Sequence, residues 1–344
     1  PGRRVSPLDG VPSRSDRRGK TPRERVDGIL LLDKPIGVSS NQAMMTARRL
    51  LAAAKAGHGG TLDPMATGLL PILFGEATKF AHDLLDADKT YAATLRLGQT
   101  STTGDAEGVI ADTGRALPDR SKLTETIARF TGRLSQRPPM HSALKHQGRP
   151  LYDYARSGIE VERAAREVVI HAIELLDFDG LTAQLRVRCS KGTYIRTLVA
   201  DIGDAAGCGA WLTALRREAV DSMTIERAIS LETLDALTVD LRRAWLAPID
   251  ALLHGLAPIE LGTAEAVRFA HGQKLRVAPH SDAPASRVRV YGSGRLLGVA
   301  ALEQGVLIPQ RLIASESPPS SRSISDTSSP IQQRSGLRNQ ETSR

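Results

Sequence analysis

The stretch GHGGTLDPMATGLLPILFGEATKF, Gly57 to Phe80, sets one carboxylate, Asp63, among glycines, one histidine and a proline before the chain turns apolar. An aspartate in a Gly/Pro-rich turn ordinarily accepts backbone N–H bonds and does nothing more. The same loop has a second use. Gly59 and Gly60 let the backbone come close to a ligand, and a carboxylate held at the lip of a cleft is a nucleophile. The loop lacks both the GxGxxG spacing and the Walker lysine, so it is not a nucleotide-phosphate cradle of either kind. His58 shares it, but His141 and His146 lie far along the chain and no second ligand stands at metal spacing, which argues against a metal centre.

A second polar cluster is CSKGTYIRTLVADIG. Tyr194 and Arg196 diverge if they start a helix and share a face if the turn is extended. Arg196 either keeps a buried carboxylate ionised or joins a surface charge network. Tyr91, in DKTYAATLRLG, either packs within a strand or offers a platform on which a base can stack. Three stretches are basic. Residues 126–152 hold Arg129, Arg133, Arg137, Lys145 and Arg149 without one acid, 181–200 are likewise acid-free, and over 266–302 six Lys/Arg face Asp282 alone. Such patches favour a phosphate-bearing partner. The whole-chain charge of +8 does not carry that reading, because it is concentrated at the ends: +5 in residues 1–25, +1 in 314–344 and only +2 between them.

These residues need a scaffold, and the sequence alternates strand and helix patterns to supply one. GILLLDKP reads as a buried strand ended by Pro35, and SNQAMMTARRLLAAAK as a helix with Ser40 as N-cap. KTYAATLRLGQ and LTAQLRVRCS alternate as half-buried strands, and TYIRTLVADIGDAAG reads as a helix from near Thr193 to Gly207. From about residue 258 the texture becomes short strands and turns, which predicts a small all-β domain at 258–313. Residues 1–25 and 314–344 have no apolar period and read as disordered extensions. Cys189 and Cys208 form no CxxC pair and suit a reducing compartment. No run of 18 or more apolar residues exists, which predicts a cytoplasmic protein without membrane contact.

In order, LLLDKPIGVSS, GHGGTLDPMATGLLPILFGEATKF, DADKTYAATLRLGQTSTTGDAEG, PPMHSALKHQGRPLYDYARSGIEV, CSKGTYIRTLVADIG and GCGAWLTALRREAV resemble the TruB-type tRNA pseudouridine synthases. The resemblance runs from about Gly28 to about Leu312 and excludes both tails. It implies an α+β fold: a catalytic domain over 26–257 on a mixed, largely antiparallel sheet flanked by helices, with an RNA-gripping thumb at 126–152, then a small β-rich PUA-like domain at 258–313. It further implies isomerisation of uridine-55 in the TΨC loop of tRNA, with Asp63 as the catalytic nucleophile. On this resemblance Arg196 holds Asp63 ionised, and Tyr91 stacks on the target uracil and handles a proton. Tyr194 and Leu215 line the uridine pocket, Lys34 and Pro35 support it, and His58 wedges into the RNA loop. No metal or organic cofactor is implied. The partner is the tRNA TΨC stem-loop, bound by a monomer that needs no obligate protein partner.

Two other classes of function fit some of the same residues. A non-catalytic tRNA binder or folding chaperone would use the basic patches without the chemistry. A glycosidase-like hydrolase would use Asp63 with a second acid, Asp105 or Glu107, and would release free uracil.

Overall fold

The computed structural model describes residues 23–142, 144–277 and 286–314; the extension before Arg23 and the serine-rich tail after Ala314 lie outside the described residues. Its largest feature is a mixed, mainly antiparallel sheet. Along the sheet run the strands Ile229–Ser230, Gly28–Lys34, Thr67–Phe74, Ala210–Val220, Lys89–Leu97, Thr182–Cys189, Arg166–Phe178 and Gly132–Gln136. Only the outer pair Gly28–Lys34 with Ile229–Ser230, and the pair Thr67–Phe74 with Ala210–Val220, run parallel; the other ladders are antiparallel.

The unbroken apolar runs LLPILF and ILLL follow from burial on both faces. Leu70, Ile72 and Phe74 point into the cluster formed with Ala43, Ala47 and Leu50 of the helix Ser40–Leu50. Leu69 and Leu73, at the alternate positions, point the other way, among Phe80, Leu84 and Val299. A strand covered on both faces, by the helix Ser40–Leu50 on one side and by the helical segments around Phe80, Leu84 and Leu253 on the other, has no polar face to show. The Tyr91 strand, Lys89–Leu97, instead packs Ala93, Leu95 and Leu97 against Leu198, Val199 and Ile202 of the helix Ile195–Ala205.

The parallel join is short. It holds at Arg216 opposite Thr67 and Arg217 opposite Gly68. Gly68 has φ +99°, and a Cβ there would sit 2.3 Å from the Arg217 carbonyl oxygen, so the two strands approach this closely only because the residue is glycine.

The first helix departs slightly from the sequence reading. Its N-cap is Ser39, not Ser40: Ser39 Oγ accepts from Gln42 N at 3.2 Å while Gln42 Oε1 accepts from Ser39 N at 3.0 Å, a reciprocal box. It stops at Leu50, short of Lys55, because Ala52 turns to φ +51° and the chain then pairs with Glu24 on either side of Ala53, through Ala52 O and Ala54 N.

The last sheet runs Ala257–Leu261, Ser286–Gly292, Arg295–Glu303, Val306–Leu312 and Leu275–Arg276. Where the sequence reads only strands, the structure has a helix, Thr263–Ala270, whose Phe269 fills the core of this sheet with Ala266 packed beside it; at eight residues it is short, with Phe269 its one large buried side chain. Val299 reaches across into the core behind the large sheet. Lys79 Nζ donates to Leu312 O at 2.8 Å, and Tyr291 Oη donates to Asp250 Oδ2 at 2.9 Å, closing the junction. Among the described residues no helix is long and apolar enough to cross a membrane.

Candidate active site

Asp63 lies on the loop between the strands Ala56–His58 and Thr67–Phe74. The loop is pinned on three sides. Ala66 N bonds to Asp63 O at 3.0 Å, Gly37 N from the Lys34–Pro35 turn bonds to Pro64 O at 2.8 Å, and Ser40 Oγ exchanges bonds with the backbone of Leu62. Gly59 is a steric requirement, since a Cβ would meet Leu84 at 2.4 Å.

Tyr194 is the N-cap of the helix Ile195–Ala205, in extended conformation, and Arg196 is its second residue. The extended cap lets both side chains reach the same pocket. Gln136 holds the cap by accepting from Tyr194 N at 3.1 Å and donating to Tyr194 O at 3.4 Å. Arg196 is nearly sealed, with 6% of its side chain exposed, and every acceptor around it is used. Nη2 meets Asp63 Oδ2 at 3.0 Å and His141 O at 2.6 Å, and Nη1 meets Asp105 Oδ2 at 3.1 Å and Thr103 O at 3.3 Å. Asp105, 3% exposed, is itself fixed by Thr103 Oγ1 at 2.5 Å and Glu107 N at 3.0 Å. One guanidinium therefore bridges two carboxylates, one buried and one, Asp63, with 38% of its side chain still open to the pocket.

That pocket is about 290 Å³ and straddles the parallel join. Asp63, Tyr91, Tyr194, Arg196 and Leu215 all line it, together with Lys89, Ser142 and Arg217. Burial raises the pKa of Asp63; Arg196 opposes this, Asp105 adds to it, and Lys34 opposes it again. Burial also lifts the Tyr91 and Tyr194 hydroxyls, with Arg217 pulling Tyr91 back and Ser142 pulling Tyr194 back.

The remaining expected residues sit around the pocket and not in its lining. Lys34 is fully buried, donates to Pro35 O at 2.9 Å and Val38 O at 2.7 Å, and has its pKa lowered to about 8 by burial, against the pull of Asp63. Pro35 is exposed on the adjoining turn. His58 is half-buried with Nδ1 lacking any hydrogen-bond partner, and burial lowers its pKa, which favours the neutral ring. Asp105 turns toward Arg196, and neither it nor Glu107, the two candidate second acids for hydrolysis, is among the residues that line the pocket. Arg217 and Lys89 were not singled out from sequence. Leu215 and Arg217 are two apart on one strand and so share a face, which was the signal available for Arg217.

The family models that this chain matches and its curated relatives define its class, the pseudouridine synthases. Solved structures of an H/ACA ribonucleoprotein bound to a substrate RNA containing 2′-deoxyuridine and of an archaeal box H/ACA Nop10–Cbf5 complex share the fold. Each has a TM-score of 0.65, at 22% and 23% identity, with 84% of this chain and 85% and 86% of those chains covered. The chain belongs to the TruB family of pseudouridine synthases. The TruB family pseudouridylate synthase N-terminal domain matches residues 48–195, the tRNA pseudouridylate synthase B C-terminal domain 196–254, and the pseudouridine synthase II TruB C-terminal domain 257–313. The tRNA pseudouridine synthase B of Cupriavidus metallidurans is 55% identical over 309 residues, covering 88% of this chain and 98% of its own. That of Burkholderia lata is 54% identical over 302 residues, covering 87% and 94%.

Proposed function

We propose that this chain isomerises uridine-55 in the TΨC loop of tRNA to pseudouridine, with Asp63 as the catalytic nucleophile. The observation that supports this most is the Asp63–Arg196–Asp105 bridge at a pocket roofed by tyrosines, in a chain whose closely similar relatives are tRNA pseudouridine synthases. Arg196 fixes the direction of the Asp63 carboxylate and, with Lys34, supplies a positive field that favours its ionised form and opposes the effect of its burial.

The target nucleotide must leave its stack to enter, at roughly a few kcal/mol. Stacking on Tyr91, worth about 1–3 kcal/mol per base, offsets much of that. His58, half-buried at the end of the strand Ala56–His58 that leads into the Asp63 loop, is the wedge that keeps the RNA loop open. Tyr194 and Leu215 close around the uracil once its glycosidic bond is broken, so that the free base turns in place and is not lost to water. The segment 126–152 serves as the thumb, and residues 258–313 as a PUA-like RNA-binding domain. Residues 26–257 form the catalytic domain, which acts in the cytoplasm as a monomer on its tRNA.

The test is tritium release from carbon-5-labelled uridine in a TΨC-arm hairpin, comparing wild type with Asp63→Asn. Release by wild type alone is the expected result. Binding without release would leave a tRNA-binding or folding chaperone, and release of free uracil would make the protein a hydrolase.

A further inference from the structure

Among the described residues Arg217 is the largest fully buried side chain, 1% exposed. Its Nε donates to Leu69 O at 2.7 Å and its Nη2 to Gly60 O at 3.3 Å, and among the described residues it forms no ion pair with a carboxylate. This contrasts with Arg196, which is neutralised twice. A buried guanidinium held by carbonyls alone keeps its full charge where charge is poorly solvated, and it favours any neighbour that becomes negative. The neighbour is Tyr91. Arg217 and Tyr91 are direct partners across antiparallel strands, so their side chains share a face, and both line the pocket. The Arg217 charge is also the foremost influence drawing the Tyr91 hydroxyl back toward acidity against its burial.

The isomerisation proposed above, on which this inference rests, has a proton balance that such a pair can close. Uridine carries a hydrogen at C5 and the sugar at N1; pseudouridine carries the sugar at C5 and a hydrogen at N1. One proton therefore leaves C5 and one arrives at N1. We propose that Arg217 is a positioning residue for Tyr91, holding its phenol so that one oxygen serves both transfers. As Asp63 bonds to C1′ the N1–C1′ bond breaks, and its electron pair stays on N1 and takes the Tyr91 proton. The phenolate then pairs with Arg217 while the base turns. The C5=C6 electron pair next forms the C5–C1′ bond and displaces Asp63 as the free carboxylate; the phenolate removes the C5 proton, and the C5–H electron pair restores the C5=C6 double bond. Tyr91 ends as it began, and no other reactant is consumed.

The test uses the full chain and a TΨC-arm hairpin whose target uridine carries protium or deuterium at C5, under single turnover. Wild type should convert both at nearly the same rate. Arg217→Gln should slow conversion on the order of 10²-fold. It should also introduce a primary deuterium effect, because a phenolate no longer held in place removes the C5 proton slowly, and move the alkaline limb of the pH–rate profile upward, because the phenol that starts the cycle keeps its proton more tightly without the Arg217 charge. Arg217→Lys, which keeps a cation in the slot, should recover part of the rate and carries the test if the glutamine variant does not fold. In a Tyr91→Phe background, Arg217→Lys should lower the rate no further. Slow variants without a deuterium effect, or an Arg217 defect that multiplies that of Tyr91→Phe, would overturn the proposal and leave Arg217 as a brace for Gly60 and Leu69. Failure of the wild type to convert the hairpin would instead remove the isomerase reading beneath it.

Discussion

Replacing Asp105 by asparagine probes the support of the candidate nucleophile without touching the pocket wall. The substitution keeps the shape and removes one charge. Thr103 Oγ1 and Glu107 N both donate to Asp105 Oδ1, so the amide oxygen of asparagine must take that position. Its NH₂ group is then turned toward Arg196 Nη1, which is also a donor. A buried ion pair becomes a donor facing a donor beside a guanidinium that is 6% exposed, and breaking such a pair costs about 3–5 kcal/mol. Against a total stability of about 5–15 kcal/mol this is a large loss. At about 2–4 °C per kcal/mol for a unit of this size, the melting temperature should fall by about 6–20 °C. With one anchor gone Arg196 no longer fixes the direction of Asp63, and a displacement of ~1 Å at a reacting group can lower the rate on the order of 10²-fold. Thermal melting and single-turnover conversion of the hairpin read both effects. Unchanged melting together with an unchanged rate would show that the Thr103 and His141 carbonyls suffice to hold Arg196, and the two-carboxylate account would fail.

Four further outcomes are expected. Asp63→Asn should melt higher than wild type at neutral pH: a carboxylate whose folded pKa is raised contributes its stability below its unfolded pKa and loses it as pH rises through the folded value, so the gap should close toward acid pH. Lys34→Met should move the acid limb of the pH–rate profile upward, because Lys34 draws the Asp63 pKa down and its loss lets the nucleophile protonate at higher pH. Gly68→Ala should lower both stability and activity, since the new methyl meets the Arg217 carbonyl at φ +99°, and denaturant midpoints with conversion rates report it. Arg129 and Arg133 pair with Glu125 and Glu167 on well-exposed side chains, pairings worth about 0–1 kcal/mol that RNA phosphates can displace. Removing both with Arg137 should flatten the salt dependence of hairpin binding by about 0.7–0.9 for each phosphate that is no longer neutralised.

The pocket residues carried by compact motifs were legible in the sequence because a loop, a strand and a helix start each announce themselves locally. Asp63, Tyr91 and Arg196 are of this kind. Asp105 was not legible as a buried anchor: in TSTTGDAEG it looks like a solvated turn, and only the arrival of Arg196 from 91 residues further on, meeting it at 3.1 Å, makes it a core residue. Arg216 and Arg217 stand side by side as two charged residues of equal appearance. One forks onto Asp33 at the surface and the other is sealed beneath the pocket, a difference set by which face of the strand meets the sheet join. The N-cap at Ser39 was readable from Gln42 three residues on, whereas the early end at Leu50 depended on a pairing with Glu24 that no local pattern reveals. Strand order lay beyond reach for the same reason, since it is fixed by contacts such as Arg217 to Leu69 across 148 residues.

The short parallel join also governs when this protein becomes competent. Lys34 and Asp63 belong to strands and loops before Phe80, while Tyr91, Arg196, Leu215 and Arg217 belong to the stretch from Lys89 to Val220, and the two groups meet at the pairings of Arg216 and Arg217 with Thr67 and Gly68. Neither contiguous piece contains the pocket. Contacts so distant in sequence close late, after each half has gathered its own helix and core. Catalytic competence is then a property of the docked halves, and its recovery during refolding reports their meeting, not the earlier formation of either sheet segment.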